Sequence, residues 1–214
     1  MNFKAAITQV ALAVAFSSAA QAAVIYDNGA PNQSSGNEAT QWIQSEDFTL
    51  TAATRITDVH FWSVDSGRLA DGTISWFIYA DAAGVPGAVI SSGNTGAVTR
   101  TATGAVLGFG TEFLNEFDIA ATVLAAGTYH LGLHNGALAI DTRSEFYWET
   151  TTAQVGSFGL EDNTPFGSGG WSNNGQEHAF MLTGDAANVP EPSSLALLGL
   201  AVLGLGASRR RKQV

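Results

Sequence analysis

Cysteine is absent from this 214-residue chain, so no disulfide can staple the fold, even in an oxidising compartment. Stability must come from packing, and a chain of this length can bury a substantial single core. Positive charge is also scarce. Nine Lys and Arg face nineteen Asp and Glu, for a formal net charge of -10. Five of the nine cations, Lys4, Arg209, Arg210, Arg211 and Lys212, stand near the two ends. Between them lie only Arg55, Arg68, Arg100 and Arg143, with no lysine. Such a surface repels nucleic acid and anionic lipid, so no nucleic-acid partner is expected. Helical signals are missing as well. In the middle of the chain, no segment of ten or more residues keeps a 3.6-residue period between helix caps.

What is present is a run of short apolar segments, rich in β-branched and aromatic residues and divided by Gly, Asn, Asp and Ser. Several alternate with period two, which predicts strands. In Thr54 to Val64, Val59 and Phe61 point one way, with Asp58, His60 and Trp62 the other. Thr73 to Ala80 is apolar on both faces and reads as a central strand. Glu112 to Ile119 aligns Phe113, Phe117 and Ile119, and Thr128 to Asn135 aligns Tyr129, Leu131 and Leu133. Residues 30–40 and 151–178 read as loops, Pro86-Gly87 as a type II turn, and Val123 to Gly127 as a turn. The count is about ten strands. The expected fold is all-β, a two-sheet jelly-roll-like β-sandwich over residues 23–185.

Both ends carry sorting signals. Residues 1–22 read as a secretory signal peptide: Lys4, an apolar segment from Ala5 to Phe16, then small residues at Ala20 and Ala22. Cleavage after Ala22 would leave Ala23 as the first residue. At the other end, residues 186–214 hold Val189, Pro190, Glu191 and Pro192, then an apolar run, then Arg209, Arg210, Arg211 and Lys212. The two prolines bar a helix interior or central strand and mark an accessible break. The run from Leu195 through Leu200 and Leu205 to Ala207 makes a helix of roughly 20 Å. That is short for a hydrocarbon core of about 30 Å, but flanking serines and snorkelling cations extend it. The cation cluster holds that end on the cytoplasmic side.

This order of parts resembles the PEP-CTERM sorting signal. The resemblance implies a Gram-negative secreted protein recognised by exosortase, a membrane-embedded protease. It would sit in the inner membrane transiently, be cut near Pro-Glu-Pro, and be released or transferred to the cell surface. Such proteins usually accompany exopolysaccharide production and biofilm formation. The alternative is an ordinary C-terminal anchor that is never processed. The Ile56 to Trp62 pattern, the turn from Tyr79 to Gly87 and Ala126 to Tyr129 resemble the β-sandwich bodies often attached to such signals. Those bodies bring no established chemistry.

The chain itself points to few chemical sites. His130 and His134 are expected to project outward from one strand, about 13 Å apart, too far to share a metal ion. Glu145 and Glu149 fall at a similar spacing, wider than the 5 to 9 Å a glycosidase needs. No Gly-x-Ser-x-Gly elbow is present. A structural calcium would suit the loops at Asp27-Asn28, Asp65-Ser66 and Glu161-Asp162-Asn163; otherwise no cofactor is expected. Trp148 and Trp171 flank a loop that also holds Phe158 and Phe166. They are candidates for stacking on a sugar, with core filling as the alternative. The expectation is a non-enzymatic surface or matrix protein with a structural or adhesive role. A lectin-like module and, more remotely, a secreted glycoside hydrolase are the rivals.

Overall fold

The computed structural model describes residues 22–67, 69–162 and 169–187. The expected terminal helices lie outside them, as do Ala20, Phe166, the Val189 to Pro192 motif and the basic tip. The described residues form fourteen strands and no helix. In order these are β1 (Ala23–Asp27), β2 (Pro31–Glu38), β3 (Ile43–Leu50), β4 (Thr54–Asp65), β5 (Ile74–Asp81), β6 (Pro86–Asn94) and β7 (Thr99–Leu107). There follow β8 (Gly110–Leu124), β9 (Gly127–Asn135), β10 (Tyr147–Thr151), β11 (Leu160–Asp162), β12 (Trp171–Asn173), β13 (Glu177–His178) and β14 (Phe180–Ala186).

Two antiparallel sheets pack as a sandwich. One has the order β1-β14-β4-β10-β13, with β2 added on β10 and β8 then β7 added beside β4. The other runs β12-β11-β3-β9-β5-β6. The chain crosses between sheets at eight of its thirteen connections, so most contacts are distant in sequence. The expected sandwich is what the chain forms.

The core follows from the alternation. Ile56, Val59 and Phe61 of β4 are fully buried, against Trp76 and Ile78 of β5, Leu131 and Leu133 of β9, and Phe180 and Leu182 of β14. Phe61 sits edge-on to Phe117, Phe146 and Trp148 at 6.1 to 6.3 Å. Each such side chain contributes about 1.5–3 kcal/mol by burial. This is how a chain without disulfides holds together. On the outer face of the second sheet, Phe77 and Tyr79 stack at 5.6 Å, with Trp171 edge-on to Tyr79 at 5.6 Å. They lie over Gly132, where a Cβ would stand 2.7 Å from the Tyr79 ring.

Four expectations are corrected. Residues 30–40 are not a loop: Asn32 to Gly36 belong to β2, whose partner is β10. Gly36 is needed there, because a Cβ would stand 2.8 Å from that of Tyr147. Residues 151–178 contain β11, β12 and β13, too short and polar to show a period. The turn before β6 is not at Pro86-Gly87. Ala82 N–H donates to the Val85 carbonyl at 2.9 Å around Ala83 and Gly84, whose φ values are 60° and 86°. Two positive φ angles match the mirror-image turn that hairpin twist favours. Finally, β8 runs on past Ile119 to Leu124, so the turn expected over Val123 to Gly127 narrows to Ala125-Ala126 within it.

Candidate functional site

A polar pocket is folded into the interior at one end of the sandwich. Core-facing positions of β3 and β10 supply Glu46 and Trp148, and β13 supplies His178. All three side chains are fully buried. His178 Nδ1 lies 2.9 Å from Glu46 Oε2, and the same oxygen accepts the His178 backbone N–H at 2.8 Å. His178 Nε2 lies 3.1 Å from Asn37 Oδ1 of β2. The Trp148 ring stacks on the imidazole at 4.6 Å, and Trp148 Nε1 donates to the Ala179 carbonyl at 3.0 Å. Gly159 closes the other side, since a Cβ there would stand 2.5 Å from the imidazole. Burial pushes His178 down to about 3 and Glu46 well up, so the pair sits neutral.

Next to this sealed pair, Glu177 reaches a surface groove. Its Oε2 accepts from Asn28 Nδ2 at 3.3 Å, and Asn28 Oδ1 accepts from the Tyr26 hydroxyl at 3.0 Å. Burial, then the nearby Glu46 and Asp47, push Glu177 up to about 7. The groove consists of two adjoining hollows of about 280 and 340 Å³ that share Gln154, Phe158 and Glu177. Asn32, Thr150, Asn173 and Gln176 also line it. The Phe158 ring is 44% exposed. The groove thus offers one apolar ring face, amides that donate and accept, and a carboxyl that is half-protonated near neutral pH.

The residues singled out from sequence fall in different places. Trp148 has no exposed face, so the expectation that it stacks on a sugar is corrected: it fills the core. Trp171 is half-buried on the outer face of the second sheet, against Tyr79, and does not meet Trp148. Phe158, named only as part of their loop, is the exposed aromatic at the groove. His130 and His134 share a face opposite the core, but they are buried rather than exposed. His130 Nε2 lies 2.9 Å from Asp81 Oδ1, and His134 Nδ1 lies 3.1 Å from the Gly136 carbonyl. The reason is that β9 is a central strand, not a half-solvated one.

Asp27 and Asp65 spend carboxyl oxygens on their own turns, accepting from Gly29 N at 2.8 Å and Gly67 N at 2.6 Å. Asp65 also accepts from Arg100 Nη2 at 2.5 Å. A wide hollow of about 560 Å³ on the first sheet is lined by Asp58, His60, Glu116 and Asp118 among others. There His60 Nδ1 lies 3.0 Å from Glu116 Oε1, and Asp58 raises the pKa of Asp118. Among the described residues, no three or more His, Asp or Glu side chains converge to hold one metal ion. Sequence reasoning missed Glu46, Glu177 and His178 as partners, because contacts between positions 46 and 178 leave no local spacing to read.

No curated protein and no solved structure is detectably similar to the chain. Residues 188–212 match the PEP-CTERM protein-sorting motif. Its position after β14 puts the motif directly behind the sandwich. This motif marks an exported protein that exosortase recognises and sorts to the cell surface or extracellular space.

Proposed function

We propose that the protein is a non-enzymatic component of the cell surface or extracellular matrix, with a structural or adhesive role beside the cell's exopolysaccharide. The observation that carries this reading is the sorting motif at residues 188–212, joined to a sandwich with an acidic surface. A sorted body with few cations suits neutral, hydroxyl-rich partners better than nucleic acid or anionic lipid.

A lectin-like role is the second reading, favoured by the exposed Phe158 ring among Asn32, Gln154, Asn173 and Gln176. Aromatic faces bury apolar sugar surface, while amides and a half-protonated carboxyl match hydroxyls in both senses. Glu177 is the single acid in that lining, whereas glycoside hydrolysis uses two across a cleft.

The test is a pull-down of the exported protein on polysaccharide from its own host. Retention that falls at least tenfold in Phe158→Ala supports the lectin-like reading. Retention unchanged in that variant removes the groove from the account. No association with surface or matrix fractions removes the first reading.

A further inference from the structure

A second acidic site lies away from the groove, on the outer face of the first sheet. Glu149 of β10 and Glu112 of β8 reach it from strands on either side of β4. Tyr147 pairs with Val64, and Val64 pairs with Glu112, so alternation puts Tyr147, Glu149 and Glu112 on one face. Glu149 is fully buried, and neither of its carboxyl oxygens has a hydrogen-bond partner. Glu112 is also buried. Its Oε1 accepts from the Thr103 hydroxyl at 2.5 Å, but its Oε2 has no partner. The two carboxyls face each other out of water, with the Gln33 backbone as the other polar contact of Glu149. An unsatisfied buried carboxylate is costly, so the site needs a proton or a cation.

The surroundings favour a cation. The charge acting on Glu149 is that of Glu112, and the Gln33 backbone faces it from β2. β7 brings Thr103, and β4 brings Trp62 and Val64, none of them charged. Arg100 is committed to Asp65 and Asn115, at 2.5 and 2.8 Å. Asn115 lies an odd number of residues from Glu112, hence on the opposite face. Glu177 of neighbouring β13 lines the groove instead. A cleft of about 280 Å³, lined by Ser34, Ser35, Gly36, Phe109 and Tyr147, opens on the same face. Gly36 of its lining stands opposite Glu149, so the cleft gives an ion a way in beside the pair. Every donor here is oxygen, with no imidazole or thiol, which is the preference of calcium rather than zinc.

We propose that Glu112 and Glu149 form a divalent-cation site of the calcium class, completed by Thr103 and water. This site stands independently of what the groove binds. Calcium sites of extracellular modules work at about 10⁻⁴–10⁻³ M, which an exported protein can meet. Carboxyl ligands hold calcium in their ionised form, so binding weakens as pH falls.

The experiment is calcium titration of the exported protein by calorimetry at pH 7.5, with Tm measured in CaCl₂ and in EDTA. One ion per chain is expected, with a Tm several degrees higher in calcium. Glu149→Gln should lose at least tenfold in calcium affinity yet be more stable than the parent in EDTA. Glu112→Gln serves where Glu149→Gln does not fold. No heat and no Tm shift at millimolar calcium overturns the proposal and leaves a proton-sharing pair. So does calcium binding of unchanged affinity in both variants, which would put the ion elsewhere.

Discussion

At the scale of single residues, this protein buries part of its charge beneath an otherwise acidic surface. Arg100, one of four cations in the body, is mostly buried against Asp65 and lies over the Phe113 ring at 4.2 Å. Removing one partner of a buried pair strands the other charge. Arg100→Ala is expected to cost about 3–5 kcal/mol in urea unfolding; a loss below about 1 kcal/mol would contradict the pairing. The buried acids give a pH signature. Glu149 and Glu177 titrate in the folded protein near 8 and 7, above the ordinary carboxyl value of 4.5. The folded state thus holds protons that the unfolded state gives up. This contribution to stability is complete below about 4.5 and is lost as pH rises through 7 and 8. In EDTA the urea midpoint should be lower at pH 8.5 than at pH 6.5, and Glu149→Gln should narrow the difference. A midpoint that rises over that interval would contradict the burial of these groups.

At the scale of elements, strands with a strong inward stripe were legible. β4, β5 and β9 announce themselves through Val59-x-Phe61, Trp76-x-Ile78 and Leu131-x-Leu133. β2 and β11 to β13 did not, because their residues are polar and their order comes from pairing with distant strands. The buried histidines were misplaced for a related reason: alternation gives the face, but only the neighbours decide whether that face meets water. The groove and the Glu112–Glu149 pair were illegible on the same grounds, since their members are joined by topology and not by spacing. Packing predicts its own tests. Phe61→Ala should cost about 3–5 kcal/mol, whereas Val106→Ala, at a 77% exposed site on β7, should stay within about 0.5 kcal/mol. Gly184 of β14 lies against the Arg55 backbone, where a Cβ would meet the carbonyl oxygen of Arg55. Gly184→Ala should therefore cost about 1–3 kcal/mol by forcing β14 from β4. Equal unfolding midpoints for these variants would show that the two sheets do not pack as described.

At the scale of the whole molecule, two parts have separate roles. The sandwich stands on one core built from both sheets, with β1 and β14 paired so that the first and last described strands close together. The sorting motif follows at residues 188–212. The tail was the most legible part of the chain because its order of prolines, apolar run and cations works without folding partners. What the body recognises was the least legible, because that information resides in juxtapositions across the sandwich. The central claim is that exosortase processes the tail and delivers the body outside the cell. Mass spectrometry of the C-terminus of surface or medium material from the native host tests it most directly. The expected mature chain ends near Pro190 to Pro192 and lacks Arg209 to Lys212; a chain that still carries those four cations would contradict the account.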